Sequence, residues 1–304
     1  MPAQAQPIEA INVHPFIEKI TAAGPVLSDG AWGTQLQSRG LAPGEVPDLW
    51  NLIRPETVAE VAKAYVDAGA QIILTNTFGA NRVRLGEAGA ADKVKAVNEA
   101  GARISREAAG GNAFVFASMG PSGKLLINED VTEEELLDAF TEQAQALADG
   151  GAQGLVVETM QDLDEARIAI AAAKVTGLPV VACMVFDSGK DKDRTMFGTT
   201  PEQAAAALVE AGADVIGANC GQGIAGFVKV CARLKAAADG RPVWIKANAG
   251  LPEMREGRAT YAMSAAEFAD HVPAVLSAGA DFIGGCCGTT PEFIRELHRR
   301  LHGK

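Results

Sequence analysis

Cys286 and Cys287 stand side by side in GGCCGTTP, residues 284–291, and Cys220 lies near the end of the apolar run DVIGANCG at 214–221. Three thiolates suit Zn2+, which takes soft sulfur ligands in tetrahedral geometry. Three protein ligands would leave a fourth position open, the pattern of a catalytic rather than a structural metal site. Consecutive side chains of a regular strand point to opposite faces, so both vicinal thiols reach one ion only if the backbone bends. Gly284, Gly285 and Gly288 permit such a bend. The residues alone also allow a strained vicinal disulfide or two unrelated buried thiols. A Gly-rich phosphate loop is a further reading, weakened by the acids that share the same face.

Those acids belong to a set of polar residues, each at the end of an apolar run. The set is Asp29, Asn76 and Thr77, Met119–Gly120–Pro121, Glu158–Thr159, Asp187, Asn219 and Asn248. Turn chemistry explains Asp and Asn at such places, but not three of the chain's five cysteines. Cys183 falls mid-strand and Cys231 in a helical stretch, so both read as small buried hydrophobes. His14, His271, His298 and His302 fall on helical or terminal segments. A nucleophile activated by histidine is therefore not expected.

The elements that must hold these residues are eight apolar runs, at 25–30, 71–78, 113–121, 154–160, 179–186, 214–221, 242–250 and 281–288. They are continuous rather than alternating, as in strands buried on both faces. Helical stretches such as PETVAEVAKAYVDAG and TPEQAAAALVEAG separate them, with Pro or Thr near the start and Gly at the end. AGAQI, GGAQG, AGADV and AGADF precede four of the runs, so one supersecondary unit is reused. Eight strands alternating with helices predict the α/β class and a (β/α)8 TIM barrel, whose chemistry sits at the C-terminal strand ends. An open doubly wound sheet is the rival, and no GxGxxG follows the first strand to support it. The 304 residues read as one barrel domain, 1–304, with 1–12 as an N-terminal extension. The connections at 119–132, 187–200 and 248–264 are long, as functional loops often are.

Composition narrows the partners. The net charge is −11 and the basic residues are scattered, which argues against nucleic acid and an anionic membrane surface. No apolar run approaches the roughly eighteen residues of a membrane span, and the first residues do not read as a secretory signal. Sparse, odd-numbered cysteines point to a reducing cytoplasm.

The motifs DGAWGTQL (29–36), TNTFGANR (75–82), SMGPSG (118–123), ETM (158–160), GANCG (217–221), NAGLP (248–252) and GGCCGTTP occur in one order along the chain. In this the chain resembles the zinc-dependent homocysteine S-methyltransferases, from about Asp29 to Leu301. The resemblance implies a (β/α)8 barrel in which Cys220, Cys286 and Cys287 hold Zn2+ and the homocysteine thiol takes the fourth position. It further implies that Asp29 and Glu158 receive the substrate ammonium, and the Gly30 N–H and Thr77 its carboxylate. Asn76, Asn219 and Asn248 would complete the substrate site, the last two by ordering the loops at its mouth.

The family divides by methyl donor: betaine, S-methylmethionine or a methylcorrinoid. The motifs are most similar to the bacterial betaine–homocysteine type and to the homocysteine domain of cobalamin-dependent methionine synthase. Gly79 and Thr159 stand where the animal betaine enzymes carry aromatic residues, so an onium cage of that kind is not expected. Trp32, Trp50, Phe186 and Phe197 are the aromatics that could build another. The reading that results is methylation of homocysteine to methionine with betaine or a related onium donor. A corrinoid protein acting as a separate methyl-carrying partner is the alternative. A non-catalytic docking barrel with a structural zinc is a reading of another class.

Overall fold

The computed structural model describes residues 13–255 and 258–303. The extension expected at residues 1–12 lies outside them. The strands are β1 (Val26–Leu27), β2 (Ile72–Ile73), β3 (Phe114–Met119), β4 (Gly154–Met160) and β5 (Val180–Met184). They continue with β6 (Val215–Gly223), β7 (Val243–Asn248), β8 (Glu253–Arg255), β9 (Arg258–Thr260) and β10 (Phe282–Gly285). Eight of them pair in parallel in the order β1-β10-β7-β6-β5-β4-β3-β2. A parallel bridge between Ser28 and Ile72 joins the two ends, so the sheet closes as a (β/α)8 barrel. Each expected run contains one barrel strand. The antiparallel pair β8–β9 was not expected; it lies within the connection at 248–264.

The four recurring phrases have one physical job. Their glycines, Gly69, Gly151, Gly212 and Gly279, take φ of 96°, 94°, 91° and 105°. The alanine after each donates back to the helix carbonyl five residues earlier, closing a Schellman cap. The next residue is Gln or Asp, and its side chain reaches the neighbouring strand. Gln71 accepts from Leu27 N–H, Gln153 from Val115, Asp214 from Val180 and Asp281 from Val243. Each phrase therefore ends a helix and pins the start of an adjacent strand.

Inward-facing residues fill the lower barrel. Phe116, Trp244 and Phe282 lie against one another, with Trp244 5.0 Å from Phe282 between ring centres. The helix Pro15–Thr21 packs on this layer, with Phe16 edge-on to Phe114 at 4.9 Å. The backbone N–H of His14 donates to Asp214, which fixes the helix to the start of β6. The N-terminal end of the barrel is thus stoppered by its own chain.

Gly217, in the middle of β6, shows how tightly this wall is built. A Cβ there would meet the Trp244 carbonyl oxygen at 2.1 Å, and backbone cannot give way as a side chain can. Gly217→Ala is therefore expected to lower the unfolding free energy by about 3 kcal/mol, the upper range for overpacking. Urea unfolding checks it, and a loss below about 1 kcal/mol would mean that β6 can shift. Among the described residues, no helix is long and apolar enough to cross a membrane.

Candidate metal and substrate site

The three cysteines converge at the C-terminal end of the barrel. Cys220 belongs to the end of β6, where the pairing with β7 breaks register after Asn219, and its φ is 61°. That conformation is costly for a residue with a Cβ and turns the thiol out of the strand's alternation. Cys286 and Cys287 follow β10 in a tight turn in which the Thr289 N–H and hydroxyl both donate to the Cys286 carbonyl. The expected bend is present, but only Gly288 supplies it through a left-handed φ, of 80°. Gly284 and Gly285 serve close approach instead, since a Cβ would lie 2.1 Å from Ser28 Oγ and 2.2 Å from Thr289 Oγ1.

The three sulfurs lie within 4.8 Å of one another, and Cys220 and Cys287 are 3.9 Å apart. Tetrahedral coordination with bonds of about 2.3 Å places sulfurs roughly 3.8 Å apart, so the spacing fits one small, soft cation. No further Cys, His, Asp or Glu joins the group among the described residues. Hydrogen bonds from Cys286 and Cys287 hold the Cys220 thiol down at about 3. Sharing that charge raises the other two, Cys287 to about 11. These hydrogen bonds thus favour one ionised thiol over three. Cys183 lies in the barrel interior and Cys231 in the helix Ile224–Ala236, and burial pushes the Cys231 thiol up to about 12. Both behave as core residues. All four histidines lie on or at the ends of helices.

Asn219 organises the cluster. Its Oδ1 accepts from the Thr159 N–H at 2.8 Å, and its Nδ2 donates to Thr159 Oγ1 at 2.8 Å. The same amide reaches Glu158 Oε2 and the Cys286 sulfur. Thr159, a β-branched residue, has φ 64°, and this one side chain holds it there by two hydrogen bonds. The Asn248 amide bonds the Cys220 thiol, and its buried Oδ1 has no protein partner.

The cysteines open onto a cavity of about 240 Å³ whose walls include Gly30, Trp32, Asn76, Phe78, Glu158 and Lys246. The Asn76 side chain donates to the Pro47 carbonyl and to Asn51 Oδ1, tying the 47–51 segment to the rim. Of the other expected site residues, Asp29, Thr77, Asn219 and Asn248 stand behind this lining. The Thr77 hydroxyl donates to the Ser118 carbonyl, and Asp29 accepts from Trp32 Nε1, Leu74 N–H and Lys246 Nζ. Trp32 is the only one of the four aromatics singled out in the sequence that faces the cavity. Trp50 and Phe186 are buried, and Phe197 lines a separate surface groove.

Sequence reasoning missed Lys246, Phe78 and Tyr261. Tyr261 comes from the long 248–264 connection and hydrogen-bonds Cys287; a Cβ on Gly288 would strike its ring at 2.2 Å. Lys246 was detectable, because it precedes Asn248 by two places in β7 and so shares its face.

Asp48 also lines the cavity, and burial raises its carboxyl to about 6 from 3.8, against the pull of the Gly79 N–H and Arg84. The native state therefore holds this proton more tightly than the unfolded chain, and stability falls as pH rises from about 4 to about 6. Asp48→Asn keeps the acceptor for Gly79 and removes the buried charge. It is expected to stabilise the protein at pH 7.5 by roughly 2–3 kcal/mol, a gain that disappears by about pH 4. Denaturant titrations at the two pH values test this, and an equal effect at both would refute it.

The sequence profile of the family described as homocysteine S-methyltransferase matches residues 26–301. The chain belongs to the homocysteine S-methyltransferase family. Methionine synthase of Mycobacterium leprae is 31% identical over 95% of this chain, and that of Mycobacterium tuberculosis 32% over 90%. The matches cover 26% and 24% of those proteins, so the chain spans about a quarter of the length of these relatives. Among solved structures, the metallated form of the homocysteine methyltransferase MmuM from Escherichia coli has a TM-score of 0.77 at 23% identity. It covers 94% of this chain and all of that one. The oxidized form gives 0.74 at 25% identity, over 91% and 96% of the two chains. The structural likeness speaks for the fold, and the profile match for the family. The cavity and thiol cluster of this homocysteine S-methyltransferase barrel lie at the C-terminal strand ends, where such a barrel carries its chemistry.

Proposed function

We propose that the barrel methylates homocysteine to methionine at a zinc ion held by Cys220, Cys286 and Cys287, with betaine or a related methylated onium compound as donor. The observation that carries this reading is three thiols within 4.8 Å of one another opening onto a cavity that is both acidic and aromatic. Bound there, zinc would supply a Lewis acid that keeps the substrate thiol deprotonated at neutral pH. A three-ligand set leaves room for that thiol, which a closed structural site would not.

The chain's own groups do the rest. Glu158 faces the cavity, and its pKa is raised by burial, opposed by Lys246 and by the Ser118 hydroxyl, which donates to it at 2.5 Å. In this reading it receives the substrate ammonium. The Gly30 N–H is the nearer of the two expected carboxylate donors, because Thr77 is turned into the wall. Asp29, which already accepts from three donors behind the lining, fixes Trp32 and Lys246 instead of touching substrate. Trp32 and Phe78 give an onium methyl group two aromatic surfaces, and Asp48 and Glu158 add negative charge. The free cysteines suit a reducing compartment, the cytoplasm.

The match to a quarter of the mycobacterial methionine synthases favours a second reading, in which a separate corrinoid protein presents the methyl group. Zinc-loaded protein, homocysteine and one donor at a time, betaine, S-methylmethionine or methylcobalamin, separate the two. Methionine from betaine is the expected result. Methionine from methylcobalamin alone would transfer the assignment to the corrinoid reading. Homocysteine binding with no product from any donor would overturn the onium reading.

A further inference from the structure

Lys246 is the one cationic side chain among the described residues of the cavity wall. It sits on β7 with its side chain 2% exposed, and its ammonium is 2.5 Å from Asp29 Oδ1. Burial opposes its charge, but Asp29 and Glu158 overcome that and raise its pKa, so it is an ammonium in the folded protein. Asp29 accounts for one of its three N–H donors. Glu158 attracts it without forming an ion pair, although both are buried and both line the same cavity. The protein therefore keeps two opposite charges facing a common space and leaves them unjoined.

An α-amino acid carries the complementary pair of charges. With its ammonium on Glu158 and its carboxylate on Lys246, the signs alternate from Glu158 through the ligand to Lys246 and on to Asp29. A carboxylate brought into so enclosed a site needs a charged donor, because lost hydration is otherwise uncompensated. Asp29 keeps the lysine charged and directed when the cavity is empty of substrate.

We infer that Lys246 is the charged donor of the carboxylate subsite of this cavity, beside the Gly30 N–H, and selects an α-amino-acid thiol over a simple aminothiol. The inference rests on the homocysteine reading above and adds a recognition element to it.

The test compares homocysteine with 3-aminopropane-1-thiol, which is homocysteine without its carboxylate, by calorimetry on zinc-loaded protein. Wild-type protein is expected to prefer homocysteine by about tenfold or more, as for a buried charge-assisted contact. Lys246→Met should remove most of the preference by weakening homocysteine alone. Because that change strands Asp29, the paired variant Asp29→Asn with Lys246→Met removes both charges together and should behave alike. Zinc content is measured on each variant. If neither variant folds, the 15Nζ resonance of Lys246 in the wild type should move with homocysteine and not with the aminothiol.

Equal wild-type affinity for the two thiols would overturn the inference. So would variants that weaken both ligands equally, or a lysine resonance indifferent to the carboxylate. Failure of wild-type protein to bind homocysteine at all would instead remove the functional reading beneath it.

Discussion

Cys287→Ala is expected to release the metal and stop methyl transfer. Cys287 is one of three sulfurs within 4.8 Å of one another, and no fourth metal-binding residue joins the group among the described residues. Two thiols then remain where three were needed. Since ligand bonds supply most of the free energy of a thiolate zinc site, retention should fall below about one-tenth of an ion per chain after mild chelation. Turnover should fall at least about thirtyfold, because the substrate thiol returns to its ordinary pKa near 8.5 and only a few per cent is thiolate at neutral pH. The fold should survive, since the side chain lies in a turn beyond β10 and Gly288 supplies the conformation. Elemental analysis with a methionine assay is the check. Wild-type turnover in the variant would refute zinc–thiolate chemistry.

Glu158→Gln should separate substrate recognition from metal binding. The Gln oxygen can still accept from Ser118, so the wall is kept while the charge is lost. Removing one partner of a buried charged hydrogen bond costs about 3 kcal/mol, which is roughly a hundredfold in Kd for homocysteine. Zinc content should not change, because Glu158 is not among the three clustered ligands. Calorimetry and elemental analysis together decide it. Loss of zinc would place Glu158 in the metal site, and an unchanged Kd would remove it from the ammonium site.

The eight strands and the three thiols were legible because each leaves a local mark. Buried parallel strands are continuous apolar runs, and cysteines are rare in this chain. Non-local partnerships leave none. Nothing near Asp29 announces that residues 32, 74 and 246 donate to its carboxylate. Without those contacts Asp29 reads as a free acid at the mouth. Lys246 is an intermediate case: its alternation with Asn248 was readable, but one lysine in PVWIKANAG reads as a strand-edge charge until barrel closure turns its face inward. Thr159 and Cys220 are opposite cases, since nothing in either residue type signals a left-handed backbone. Tyr261 was obscured by its place in a long connection that reads as loop.

Cys220 belongs to β6 and the vicinal pair follows β10, and in the closed sheet β7 stands between those strands. The thiols can therefore meet only after the last three barrel strands, β6, β7 and β10, have been laid down in order and in register. A one-place slip of β7 would leave the sulfurs facing different compartments. With the proposed zinc at the cluster, metal uptake would double as an inspection of assembly: a chain that held the ion would have proved that its final third is correctly seated, and a newly made barrel would not acquire reactivity before it had acquired shape.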